Sequence, residues 1–127
     1  MNLGFWKSLK ENALSKKRPI FVLAPMADVT DAAFRQIIAK YSRAEDDAGG
    51  GGDSTIRQTS GVLDAMWTEF VSADGLCHEN AREKLLVDLK YSEEERPIVA
   101  QLFTSNPKNM KTAAKLCANL GFDGVDI

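Results

Sequence analysis

The chain has 127 residues, a size that suits one domain and argues against two. Apolar residues make up 44% and charged residues 27%, which excludes wholesale disorder, and a net charge of −2 gives no basic excess that would point to nucleic acid. The two cysteines match no metal-ligand spacing and predict no disulfide framework, which favours a reducing, cytoplasmic compartment. The longest apolar run, residues 20–26, is too short to cross a bilayer, so no membrane association is predicted.

The first elements in chain order are a helix, a strand and a second helix. Residues 2–15 place apolar side chains three and four positions apart, which predicts a short amphipathic helix covering one end of a core. Residues 20–24 form a continuous apolar run that predicts a strand buried on both faces, and Pro25 ends it. Thr30 or Asp31 is the expected N-cap of the next helix, which has an apolar face at Phe34, Ile37, Ile38 and Tyr41.

Residues 43–61 break this pattern. They contain an acidic run, four consecutive glycines at 49–52 and only one large aliphatic side chain, Ile56. Such a stretch cannot bury enough apolar surface to offset its ordering entropy, so it predicts a flexible surface insertion. No Gly-Lys-Ser/Thr follows the glycines, which favours a linker over a phosphate cradle.

The second half of the chain continues the alternation. Residues 62–70 predict a second strand, residues 78–90 are ambiguous between helix and extended chain, and residues 92–96 predict a charged surface connection. Residues 97–103 predict a third strand, followed by a helix that Ser105 or Asn106 caps and Gly121 ends, and residues 122–127 begin a fourth strand.

Strands alternating with helices indicate an α/β fold with a parallel sheet. An open doubly wound sheet and the first half of a TIM-type (β/α)₈ barrel are the two candidate architectures. A complete barrel needs about 250 residues, and setting the insertion aside leaves about 108, roughly half of that number. We therefore expect one domain over residues 1–127, a partial barrel truncated after its fourth strand.

Polar residues at the carboxyl ends of these strands are the candidates for chemistry, because ligands bind there in both architectures. Gln101 interrupts an apolar strand, and its amide suits either a heterocycle edge such as that of a flavin or the neighbouring backbone. Glu69 and Asp126 are substrate-side candidates or members of ion pairs. His78 lies on a polar stretch, Cys77 and Cys117 resemble small apolar side chains, and no cluster predicts a metal site.

Five segments together resemble the tRNA-dihydrouridine synthase family. They are residues 19–31 (PIFVLAPMADVTD), 34–35 (FR), 67–76 (WTEFVSADGL), 96–103 (RPIVAQLF) and 121–127 (GFDGVDI). The resemblance implies an FMN-binding (β/α)₈ barrel that reduces particular uridines in tRNA to 5,6-dihydrouridine, with NADPH as the reductant. It also implies that Pro25, Met26, Ala27 and Gln101 bind the cofactor.

The sequence departs from the family pattern in one important respect. The family's proton-donor cysteine lies in an Asn-x-Gly-Cys-Pro stretch directly after the fourth strand, and that stretch would begin after Ile127. Cys77 and Cys117 do not occupy this motif. The expectation is therefore an N-terminal fragment with no catalytic residue of its own, inactive alone, which reaches tRNA only through the full-length enzyme.

Two alternatives stay open at this point. The chain could be a non-catalytic half-barrel that serves as a binding or assembly module and self-associates through its open sheet edges. It could also belong to another flavin-dependent (β/α)₈ oxidoreductase.

Overall fold

The computed structural model describes residues 4–15, 17–43 and 63–127. Apart from Arg43, the predicted Gly-rich insertion lies outside the described residues. The described elements, in chain order, are α1 (Phe5–Ser15), β1 (Val22–Leu23), α2 (Ala32–Arg43), β2 (Ala65–Ser72), α3 (Ala73–Cys77), α4 (Glu79–Leu85), a 3₁₀ turn (Glu93–Glu95), β3 (Ile98–Phe103), α5 (Pro107–Asn119) and β4 (Gly124–Asp126).

The four strands form one parallel sheet in the order β1-β2-β3-β4. Each strand therefore pairs with the strand before it in the chain, without the reversal of strand order that defines a doubly wound sheet. The strand order confirms the α/β prediction and decides between its two architectures in favour of the (β/α)₈ type. A register shift between Trp67 and Phe70 interrupts the pairing of β2 with β3.

One face of the sheet packs against α3 and α5. Alternate residues of β3, Ile98, Ala100 and Leu102, share a buried cluster with Leu76 of α3 and Cys117 of α5. Alternation along a strand places every second side chain on the same face, so the residues between them point to the opposite face. We call the helix-covered side the outer face.

The opposite face, here called the inner face, is covered at its amino-terminal end by α1. Phe5 and Leu9 pack there against Val99 and Ala65. Gly124 also lies on this face, where an added Cβ would come within 3.2 Å of the Trp6 ring, so a larger residue would push that ring outward by a few tenths of an ångström. The predicted amphipathic helix covering one end of a core is confirmed.

Both predicted ends of α5 are confirmed. Asn106 Oδ1 accepts hydrogen bonds from the backbone N–H groups of Lys108, at 3.0 Å, and Asn109, at 3.4 Å. Gly121 lies just beyond the helix with a φ of 88°, the left-handed conformation expected of a C-terminal glycine. The N-cap choice at α2 is also resolved, since Asp31 Oδ1 accepts the N–H of Phe34 at 2.7 Å.

Several local predictions are wrong. The first strand is shorter than predicted and is not buried on both faces, since Val22 is 44% exposed and β1 pairs with one strand, β2, among the described residues. The predicted apolar face of α2 is displaced around the helix, which buries Arg35 and Ala39 and leaves Tyr41 73% exposed. The second strand begins at Ala65 and runs on to Ser72.

The stretch from residue 78 to 96 also differs from expectation. Its ambiguous first part contains the short helix α4. The predicted charged surface connection includes Glu95, whose side chain is fully buried. A buried carboxylate requires a partner, and that partner, Arg35, comes from α2.

Candidate functional site

Three side chains form a polar layer on the inner face: Asp126 at the end of β4, Gln101 in the second half of β3 and Trp67 in the first half of β2. Asp126 Oδ2 accepts a hydrogen bond from Gln101 Nε2 at 2.9 Å and a second from Trp67 Nε1 at 3.2 Å. Gln101 and Asp126 are register partners on adjacent strands, which places their side chains side by side. The structure thus brings together two of the predicted site residues, and the partnership with Trp67 was not predicted.

The amide of Gln101 keeps hydrogen-bonding capacity. Its side chain bonds a carboxylate instead of the neighbouring backbone, while its backbone N–H donates to Thr68 Oγ1 at 3.2 Å. Within the described part of the chain, the carbonyl oxygen of this amide and one of its N–H groups make no hydrogen bond. The half-buried Gln101 therefore presents one acceptor and one donor toward the inner face.

Glu69 lies close to the loop that follows β1 and contacts its backbone. Its Oε1 atom accepts a short hydrogen bond from the backbone N–H of Asp28. Asp28 has a φ of 57°, a left-handed conformation that is uncommon for any residue other than glycine. Among the described residues, the salt bridges include neither Glu69 nor Asp126, and both carboxylates accept hydrogen bonds from uncharged groups instead.

The loop itself, residues 24–31, carries the other three predicted cofactor residues. Pro25 is half-buried, Met26 is 41% exposed and Ala27 is exposed. Thr30 is fully buried, and its hydroxyl accepts from the Met26 N–H at 3.0 Å and donates to the Met26 carbonyl at 3.1 Å. The loop thus presents Met26 and Ala27 to solvent while the Thr30 side chain folds inward.

A buried ion pair lies behind this loop. Arg35 Nε donates to Glu95 Oε2 at 2.7 Å, and both side chains are 0% exposed. The same guanidinium donates to the carbonyls of Thr30, at 2.5 Å, and Lys90, at 2.6 Å. Sequence reasoning missed this pair, and the available signal was an arginine set beside the apolar residues of α2.

The two cysteines and the histidine lie away from the polar layer. Cys117 is fully buried on the outer face, and burial raises the pKa of its thiol from 9.0 to about 11. Cys77 lies on α3 and its Sγ is 3.8 Å from the carbonyl of Asn109. His78 is exposed between α3 and α4. The prediction that these cysteines resemble small apolar side chains agrees with the burial of Cys117, whereas Cys77 is only half-buried.

The described residues contain neither a metal-binding cluster nor a membrane-spanning helix. No three His, Cys, Asp or Glu side chains in residues 4–15, 17–43 and 63–127 lie close enough together to hold a metal ion. Over the same residues, none of the helices has the length and apolar character needed to cross a membrane.

The strand order and the polar layer together define a (β/α)₈-type domain with a candidate ligand site at the carboxyl ends of its strands. The family model for dihydrouridine synthase (Dus) matches residues 22–127, and the chain belongs to this family.

The curated relatives that the chain matches are named as probable tRNA-dihydrouridine synthases. A probable tRNA-dihydrouridine synthase 2 of Bacillus subtilis (strain 168) is 32% identical over 127 residues, covering 100% of this chain and 31% of the relative. A probable tRNA-dihydrouridine synthase of Staphylococcus aureus (strain COL) is 31% identical over 120 residues, covering 94% of this chain and 31% of the relative. The chain therefore spans about a third of the length of these relatives.

Proposed function

We propose that this chain forms the flavin-facing wall of an FMN-dependent tRNA-dihydrouridine synthase, which reduces uridine in tRNA with NADPH. Family membership supports the reaction class. The observation that carries the cofactor assignment is the amide of Gln101, which is fixed on one side by Asp126 and keeps one donor and one acceptor for a ligand. This pairing suits a flavin edge, where a carbonyl stands next to a ring nitrogen.

Asp126 acts in this proposal by orienting Gln101. A carboxylate accepts hydrogen bonds and cannot donate them when ionised, so only the NH₂ end of the amide can face Oδ2. The reversed amide would place its oxygen against the carboxylate and lose the hydrogen bond. Asp126 thus fixes which atoms of Gln101 point toward the ligand, while Trp67 donates to the same oxygen and holds the carboxylate in place.

The loop after β1 supplies the second part of the cofactor site. Met26 and Ala27 are exposed there, and Pro25 precedes them at the end of the first strand. Apolar side chains of this kind can lie along a planar ring while the loop backbone supplies polar contacts. Bound FMN would supply the two-electron redox chemistry, and the protein's contribution is to hold the cofactor and the uracil ring together.

The tRNA substrate and the proton donor involve more than the residues of this chain. The target uridine must leave its base stack to reach a flavin, as for other enzymes that act on bases. Both cysteines of the chain lie away from the polar layer, Cys117 among the buried residues of the outer face and Cys77 on α3. We therefore propose that neither thiol protonates the substrate and that the chain alone forms no dihydrouridine.

Titration of FMN into the full chain tests the cofactor assignment, with quenching of flavin fluorescence as the readout. We expect saturable binding that Gln101→Leu weakens about tenfold or more, because each lost hydrogen bond is worth about 1 kcal/mol. The matched control is Gln36→Leu, since Gln36 is an exposed glutamine on α2. Absence of saturable binding, or equal affinities for both variants, would contradict the assignment.

The reaction is tested separately by incubating the purified chain with FMN, NADPH and unmodified tRNA. Dihydrouridine is then measured by mass spectrometry of the digested RNA. We expect none above the background without protein. Formation of dihydrouridine that survives replacement of both cysteines by serine would show that another group donates the proton, and loss of product in that variant would show that one of these thiols does.

A further inference from the structure

We infer that Glu69 and the Arg35–Glu95 ion pair are positioning residues that hold the β1–α2 loop, residues 24–31, in the shape that the flavin requires. We call Glu69, Arg35, Glu95 and Thr30 the loop clamp. The part of this inference that concerns flavin rests on the proposed function. The part that concerns loop shape rests on contacts within the described residues.

The first contact of the clamp holds a strained residue. Asp28 adopts a φ of 57°, and its backbone N–H donates to Glu69 Oε1 on the neighbouring strand β2. Aspartate adopts the left-handed region more readily than most residues, but the conformation still costs free energy that surrounding contacts offset. Glu69 provides such a contact, and it acts one residue after the exposed Ala27.

The second contact comes from Arg35 of α2, which bonds the end of the loop at Thr30. The guanidinium of Arg35 donates in three directions, to the Thr30 carbonyl, the Lys90 carbonyl and the Glu95 carboxylate, at 2.5, 2.6 and 2.7 Å. The carboxylate is held in turn, because Glu95 Oε1 accepts the backbone N–H of Ser92 at 2.8 Å. Arg35 therefore fastens the end of the loop to the segment that precedes β3.

Thr30 links Arg35 to Met26, the residue of the loop that is proposed to face the cofactor. Its carbonyl is held by Arg35, and its hydroxyl exchanges two hydrogen bonds with the backbone of Met26. Thr30 is fully buried, so water cannot replace these partners without opening the loop. Loss of Arg35 would therefore release Thr30, and loss of Thr30's position would release Met26.

The ion pair is better explained by this positioning role than by stability alone. Both charges are fully buried, and an apolar pair of similar volume in such a place is often as stable or more stable. An apolar pair cannot donate a hydrogen bond to the Thr30 carbonyl. The double variant Arg35→Met/Glu95→Met removes both charges together. It therefore distinguishes a role in holding the loop, which the variant would lose, from a role in stability alone, which an apolar pair could replace.

The experiment compares this double variant with Arg18→Met/Asp64→Met in the full chain. Arg18 and Asp64 form a bidentate pair at 2.7 Å, and Asp64 also accepts the backbone N–H of Phe21 at 2.9 Å, at the opposite end of β1 from the loop. Three quantities are measured: the cooperativity of thermal unfolding, the hydrogen exchange of the Met26 amide without FMN, and the dissociation constant of FMN. Exchange without FMN reports loop shape independently of the cofactor.

We expect the clamp variant to unfold cooperatively, to exchange the Met26 amide at least tenfold faster and to bind FMN at least tenfold more weakly. The control variant should keep the exchange rate and the FMN affinity of the unmodified chain. Unchanged exchange at Met26 would overturn the inference, and so would a loosened loop with unchanged FMN affinity. If the unmodified chain binds no FMN, the proposed function fails, and the exchange comparison still decides whether the clamp holds the loop.

A second pair of variants keeps the inference testable if the double variant does not fold. Glu69 is half-buried, so its replacement is tolerated more easily. Glu69→Gln keeps an oxygen that can accept from the Asp28 N–H, whereas Glu69→Met does not. We expect Glu69→Met to raise the hydrogen-exchange rate of the loop and to weaken FMN binding. Glu69→Gln should keep the exchange rate and the FMN affinity of the unmodified chain. Equal behaviour of these two variants would overturn the role of Glu69.

Discussion

Replacing Gln101 and Asp126, singly and together, measures the interaction on which the candidate site depends. The hydrogen bond from Nε2 to Oδ2 is 2.9 Å long and involves an ionised acceptor, a class worth about 1.5–3 kcal/mol when buried. Both side chains are half-buried, and partial solvation reduces this value. We therefore expect a coupling free energy of about 1 kcal/mol between Gln101→Leu and Asp126→Ala.

The assay is urea unfolding at 25 °C of the unmodified chain, the two single variants and the double variant, with the denaturant slopes compared across all four. Asp126→Ala alone should cost more than Gln101→Leu, because it leaves both Gln101 Nε2 and Trp67 Nε1 without their acceptor. Asp126→Asn keeps an acceptor oxygen without the charge and should retain roughly half of the coupling.

A second carboxylate on the same segment supplies the control. Asp123 accepts hydrogen bonds from Arg96 and from the backbone N–H of Ile98, whereas the Gln101 side chain donates to Asp126. Gln101→Leu and Asp123→Ala should therefore add to within about 0.5 kcal/mol. A Gln101–Asp126 coupling no larger than this control value would refute the claim that the carboxylate orients the amide.

Three further predictions concern stability, reactivity and association. Asn106→Ala should lower the free energy of unfolding by about 1 kcal/mol, measured by urea unfolding, because it removes the N-cap of α5, and an unchanged midpoint would contradict the cap. At pH 8 an alkylating reagent should modify Cys77 well before Cys117, because the Cys117 thiol is buried and its pKa is raised, and equal labelling rates in the folded chain would argue against this. The free energy of unfolding should be unaffected by Cys117 below pH 9 and should fall as the pH rises from 9 toward 11, because the thiol then ionises more readily in the unfolded chain. Sedimentation velocity should show self-association that Val22→Lys at the exposed sheet edge reduces and the matched Leu14→Lys on α1 does not, and a monomer at all concentrations would exclude edge pairing.

The alternation of strands and helices could be predicted because its signals are local. The N-cap Asn106 and the helix-ending Gly121 act on backbone groups a few residues away, so neighbouring residues alone determine them. The same holds for the amphipathic pattern of α1. The choice between a doubly wound sheet and a half-barrel needed strand order, which no local pattern encodes.

Burial patterns were less predictable at the edge of the sheet and on α2. The apolar residues of the first strand suggested burial on both faces, but Val22 lies in an edge strand and is exposed. On α2, the hydrophobic spacing pointed to a face that includes Tyr41, whereas packing buries the face that carries Arg35. A charged side chain enters the interior only when a distant partner compensates for it, and that partner is invisible in a helical pattern.

The sequence by itself determined the parallel α/β class, the resemblance to the tRNA-dihydrouridine synthases and the choice of Gln101 as a site candidate. Only the tertiary structure decided that Asp126 bonds Gln101, that Glu69 holds the Asp28 backbone and that Glu95 is buried against Arg35. The physical reason is that these partners are 25, 41 and 60 residues apart along the chain. Composition and spacing report local backbone preferences, whereas hydrogen bonds between distant residues exist only after the strands have aligned.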